Sequence, residues 1–141
     1  ADDLGIRGSR QIVGRSVFTK EMRTIPYRCK DAIGVGVVQK IKKLNQSERA
    51  WNAQIMTEDV FEIPLSCLLS SNIENLVIGS GRGVCSLPPL QLRAMGYTMI
   101  VGQGAGVAAA VAAKEGVPVS RADYADIRRE LIRQDVEFPE L

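Results

Sequence analysis

The residues best placed for chemistry are glycines. Gly102-Gln103-Gly104-Ala105-Gly106 follows the apolar stretch 97–101, and dinucleotide-binding loops begin with a strand running into such a turn. The third glycine of a GxGxxG pattern would fall where Val107 stands, and no second strand ending in an acid follows. The fingerprint is incomplete. A second glycine group, Gly79-Ser80-Gly81-Arg82-Gly83, ends the run Asn75-Leu76-Val77-Ile78. The cysteines are Cys29, Cys67 and Cys85, of which Cys85 is weighed as a redox group. The chain has no histidine, which excludes a Ser-His-Asp or Cys-His triad and the commonest metal ligand. No metal site and no catalytic residue is assigned.

The cysteines lie far apart, without a CxxC, and are odd in number. That pattern predicts three free thiols, a reducing compartment and a cytoplasmic setting. Cys85 reads as a structural thiol rather than a redox group. A net charge of +2 gives no electrostatic case for nucleic acid or membrane as partner. The short basic run Lys40-Ile41-Lys42-Lys43 reads as a solvated loop or strand end. The opening Ala1-Asp2-Asp3 has no initiator Met and no signal peptide, and reads as a processed or internal start.

The elements that must position these residues fall into two halves. Residues 1–70 are strand-rich. Ile12, Val13, Val17, Phe18 and Thr19 predict a strand interrupted by Gly14, with a helical turn opening at Thr19-Lys20. Residues 32–41 are β-rich, residues 44–52 a polar loop with Trp51 as packing anchor, and Val60-Phe61-Glu62-Ile63-Pro64 a half-buried strand that Pro64 ends or places at an edge. Ser70-Ser71-Asn72 is a turn.

Residues 71–141 read as strand, glycine turn, loop, long helix and short helix. The strand at 75–79 is expected to be buried and of parallel type, which leaves it in need of partners. Residues 94–113 carry no formal charge between Arg93 and Lys114. Gly102 and Gly106 form a GxxxG pair, so a membrane span fits by length. Alanine and glycine supply little transfer energy, however, and no aromatic belt flanks the run. A buried helix, with Gly102, Gly104 and Gly106 at close helix-sheet contacts, is the preferred reading. Gly116 is its expected C-cap, with Pro118 beyond it. Ser120 to Asp123 resembles a capping box for a last helix carrying Tyr124, Ile127, Leu131 and Ile132 inward and Arg128, Arg129 and Arg133 outward. Phe138 to Leu141 reads as irregular. The fold class is α/β, or α+β, with a strand-rich first half.

The run from Phe61 to Gly116 resembles the C-terminal third of FAD-dependent oxidoreductases with a glutathione-reductase-type FAD domain and an inserted substrate domain. The matching residues are Phe61-Glu62-Ile63-Pro64, the run from Glu74 to Arg82, Arg93, Gly102-Gln103-Gly104-Ala105-Gly106, and residues 108–116. Upstream, the run from Gly5 to Gly14 is similar to the family's Arg-Glu-Ser-Arg-Arg-Ile-Val-Gly segment. The resemblance implies that Gly81 and Arg82 face the FAD ribityl chain and pyrophosphate, where close backbone N–H groups and a guanidinium suit phosphate. It implies that Arg93, Ala94 and Met95 open the long helix toward the flavin pyrimidine edge, where a positive helix N-terminus meets the charge gained on reduction.

Three departures qualify this. The family's N-terminal GxGxxG unit is absent, Gly8 replaces an acid, and the loop from Gly83 to Leu92 lacks the histidine of many relatives. The expectation is therefore the C-terminal part of an FAD-dependent oxidoreductase that moves hydride between a small-molecule substrate and flavin. It would hold FAD only in the complete enzyme and be inactive alone. Residues 1–70 would belong to the substrate domain and residues 71–141 to the FAD domain. Its partner would be the missing N-terminal portion or a second subunit, and a homo-oligomer stays open. The alternatives are a non-catalytic partner subunit and a small α/β binding domain.

Overall fold

The computed structural model describes residue 8, residues 10–37 and residues 60–138. The start of the chain, the basic run at 40–43, the stretch 44–52 with Trp51 and the last three residues lie outside them. In chain order the elements are β1 (Phe18–Thr19), α1 (Lys20–Thr24), β2 (Ala32–Val37), β3 (Val60–Pro64), β4 (Ser86–Leu87), α2 (Met95–Glu115) and α3 (Tyr124–Arg133). Single 3-10 turns cover Leu65–Cys67 and Val119–Arg121. Strands paired both ways beside a long helix make this an α/β chain, as the sequence pattern predicts.

β2 and β3 pair antiparallel, with Gly36 opposite Phe61 and Val37 opposite Val60. Gly36 has no side chain because the Phe61 ring occupies that space. Phe61 in turn meets the Phe18 ring at 5.8 Å and the Tyr97 ring at 5.4 Å. These three rings join β1, β3 and α2 into one core, and aromatic pairs at such spacing add to their area burial. β3 departs from simple alternation, since Glu62 is buried as well as Phe61 and Ile63. Its carboxylate accepts from the Cys29 N–H at 2.7 Å and pairs with Arg28 at 3.5 Å, so the buried charge is not left unpaired.

The expected parallel strand at 75–79 is not a strand of either sheet. It makes one antiparallel bridge, Val77 with Leu69, and the Ile78 N–H donates to the Leu68 carbonyl. The cause is the turn before it: Ser70 Oγ accepts from the N–H groups of Asn72 and Ile73. This serine turn folds the chain back on its own upstream neighbour, so local pairing satisfies the backbone. The parallel pair lies elsewhere, between β1 and β4.

α2 buries Tyr97, Val101, Gly104, Ala105, Val107, Ala108 and Ala112 along one face, against β2, α3 and the Val119–Arg121 turn. It is long and apolar enough to cross a membrane by length and composition, yet 33% of that window is buried within the chain. Its other face carries Met95 and Met99, 85% and 74% exposed. The helix is therefore half-packed rather than central. It ends where expected: Gly116 adopts φ +69°, its N–H reaches the Ala113 carbonyl, and the Val117 N–H reaches Ala112. That paired closure uses glycine for its left-handed conformation. The capping-box expectation for α3 shifts by one motif length. Asp123 itself is the N-cap and accepts from the Ala125 N–H at 2.8 Å, while Ser120 sits in the preceding 3-10 turn. Ile132, expected inward, is exposed, and Arg128 lies over the Phe138 ring instead of reaching outward.

Candidate functional site

The glycine turn and the start of α2, eleven residues apart between Gly81 and Leu92, meet in space. Gly81 is buried, and a β-carbon on it would overlap the Leu92 carbonyl oxygen and stand 3.0 Å from Thr98 Oγ1. The glycine is needed for this backbone-to-backbone approach. Behind it, Gly102 of α2 faces the Gly79 carbonyl. The turn is closed by the Gly83 N–H on Ser80 O at 2.9 Å and tied to the N-terminal segment by Ile12 N–H on Gly83 O at 2.8 Å.

The other predicted site residues are adjacent in sequence to the two sides of this contact. Arg82 is exposed, with its backbone N–H on Ser80 Oγ. Arg93, Ala94 and Met95 are exposed as well. Neither the Arg82 nor the Arg93 guanidinium has an ion-pair partner among the described residues. Ala94 is the N-cap of α2 and has no side chain able to accept from the first turn. The first helical hydrogen bond runs from the Thr98 N–H to Ala94 O at 2.9 Å. The first turn of a 21-residue helix thus has no side-chain cap and lies exposed, its positive end following directly on Arg93. Such a mouth can bind an acceptor atom that carries or gains negative charge.

Gly102, Gly104 and Gly106 divide. A β-carbon at Gly104 would stand 2.6 Å from Ile33, so it is a tight helix-strand contact, and Gly102 has ordinary room beside Gly79. Gly106 meets nothing within 4 Å, which corrects the expectation that all three are packed. It lines a groove of about 770 Å³ between α2 and α3 with Val107, Ala110, Asp126, Arg129 and Arg133. That groove holds none of the predicted site residues. Within α3 Arg129 pairs with Asp126 and Arg133 with Glu130, and α2 adds Lys114 and Glu115 to the lining.

The thiols are free. Burial pushes the Cys29 thiol up to about 12 and the Cys67 thiol up to about 11, the latter despite a 3.1 Å contact with Ser16 Oγ. Both stay protonated at neutral pH and are poor nucleophiles.

Two residues of the site escaped sequence reasoning. Thr98 Oγ1 donates to Leu92 O at 3.4 Å, and Arg23 Nη1 donates to Gln91 O at 2.9 Å across 68 residues of sequence. Thr98 lies one turn past the helix start and could have been suspected. Nothing in the sequence ties Arg23 to this loop.

Among known protein families, residues 1–131 match the family described as FAD dependent oxidoreductase. No curated protein and no solved structure matches.

Proposed function

The chain belongs to the FAD-dependent oxidoreductase family, and from that premise we propose that it forms the flavin-facing end of such an enzyme. The observation that carries this reading is the contact of the Gly81 turn with the start of α2. It brings the backbone next to Arg82 against the segment that carries Arg93 and the uncapped start of α2, all three exposed. The donor set fits the cofactor. Backbone N–H groups at Ala94 and Met95 suit the pyrimidine edge, and the exposed Arg82 suits phosphate. Gly81 itself serves the packing, so its backbone approach is to Leu92 rather than to a phosphate.

FAD, when bound, would supply two-electron hydride chemistry toward a small-molecule substrate. This chain's residues would orient it and stabilise negative charge at its O2 edge. The ADP half needs a GxGxxG unit, which this sequence does not contain. It would be held by another portion of the enzyme or a partner subunit. In this division residues 1–70 lie on the substrate side and residues 71–141 complete the FAD domain. Free, protonated thiols suit a cytoplasmic setting.

The test uses Met95→Pro in the flavin-loaded protein. Met95 is the first residue of α2, where proline is tolerated. Ala94 already has the extended conformation that precedes proline, φ −63° and ψ 146°. The substitution removes one N–H donor without breaking the helix. The midpoint potential of the bound flavin should fall, and a loss of about 1.4 kcal/mol corresponds to about 30 mV for a two-electron couple. An unchanged potential with flavin still bound would place the helix mouth away from the flavin and overturn the reading.

A further inference from the structure

The strap from Leu90 to Leu92 leads directly into the α2 mouth, and two successive carbonyls in it are held from opposite parts of the chain. Leu92 O is covered by Gly81 and accepts from Thr98 Oγ1. Gln91 O accepts from Arg23 Nη1 at 2.9 Å. Leu90, just before them, sits at φ +67°, a left-handed conformation that leucine adopts only when its surroundings hold it there. The Arg93 N–H then closes back on Leu90 O at 3.3 Å. Leu92 is fully buried, and the hydrogen bond from Thr98 ties its carbonyl to the first turn of α2.

Arg23 has no ion-pair partner among the described residues, although it is half-buried. Burial raises the Tyr97 phenol in the first turn of α2 and the Arg23 charge opposes that shift; the hydroxyl is fixed on Val37 O at 3.0 Å. A half-buried guanidinium spent on one backbone carbonyl is a costly way to hold a surface loop. It makes sense where the loop's position matters.

We propose that Arg23 is a positioning residue for the helix mouth: through its hydrogen bond to Gln91 O it fixes the strained strap and so aims the N–H groups of Ala94 and Met95. The proposal rests on the reading that this mouth faces the flavin. Arg23 itself touches no cofactor in this scheme. Its effect passes through the strap.

The test compares Arg23→Met, Arg23→Lys and Met95→Pro. The readouts are the flavin midpoint potential of the loaded protein and amide hydrogen exchange in the flavin-free chain. Arg23→Met should lower the potential in the same direction as Met95→Pro. Arg23→Lys keeps a long cationic donor and should return most of the wild-type value. In the flavin-free chain Arg23→Met should speed exchange of the Arg93 and Thr98 amides while those of α3 stay unchanged. If Arg23→Met fails to fold, Arg23→Gln, which keeps polarity but lacks the reach, is read instead. A shifted potential in Met95→Pro with an unchanged one in Arg23→Met overturns the role of Arg23 and leaves the flavin-facing reading intact. An unchanged potential in Met95→Pro overturns that reading and this proposal together.

Discussion

Gly81 and Leu92 are in backbone contact, with no room for a β-carbon between them. This contact joins the glycine turn to the segment that leads into α2 and decides what a substitution at Gly81 does.

Gly81→Ala should cost about 1–3 kcal/mol, because the obstacle is backbone rather than a movable side chain. Gly104→Ala presses on Ile33 at 2.6 Å and should also destabilise. Gly106→Ala meets open space and should stabilise by up to about 1 kcal/mol through helix propensity. Urea unfolding of the three variants checks the order. A destabilised Gly106→Ala would mean that the exposed face of α2 is covered in the protein as purified.

This chain alone should bind FAD weakly, since the residues expected to hold the ADP half are not in it. Calorimetric titration of FAD into the isolated chain measures this. Tight binding would contradict the division of the cofactor between two portions.

Arg93→Ala should lower the flavin potential in the loaded protein, because a cation beside the helix mouth opposes loss of the negative charge gained on reduction. Redox titration at low and high salt checks it. An exposed charge is screened, so the difference from wild type should shrink as salt rises.

Stability should fall in alkali. The Cys29 thiol lies at about 12 and the Cys67 thiol at about 11 in the folded chain, against 9.0 ordinarily. A raised value means that stability is complete below the ordinary value and is lost as pH rises toward the folded one, since the unfolded chain ionises first. Urea midpoints followed from neutral into alkaline pH should decline, and Cys29→Ala should flatten the slope. Under native, neutral conditions both thiols should react slowly with alkylating reagents and rapidly after unfolding.

Glu130 behaves in the opposite sense. Hydrogen bonds from Arg133, then Gln134, hold its carboxyl down to about 2 from 4.5. Its contribution is present above the ordinary value and is lost as pH falls through that window. Helicity followed by circular dichroism on acid titration should show a small loss at low pH in wild type that Glu130→Gln lacks.

The sequence by itself determined the local features. α2 follows from a charge-free run between Arg93 and Lys114, and its end from the glycine at 116. β3 follows from Val60 to Pro64, and its end from the proline. Each is a property of neighbouring residues: periodicity, missing charge, a residue able to turn left-handed. The site residues Gly81, Arg82, Arg93, Ala94 and Met95 were legible only as two separate glycine and helix-start signals.

Only the tertiary structure brought those signals together, because the Gly81 contact with Leu92 depends on how the intervening loop folds. It decided that residues 75–79 pair backward onto Leu68 and Leu69, since the Ser70 turn closes before any parallel partner is reached. It separated Gly104, pressed on Ile33, from Gly106, facing open space. The two glycines read alike in one dimension, but at 100° of helical turn per residue they point to different sides of the same helix. And it brought Arg23 to Gln91 across 68 residues, a distance over which local pattern carries no information.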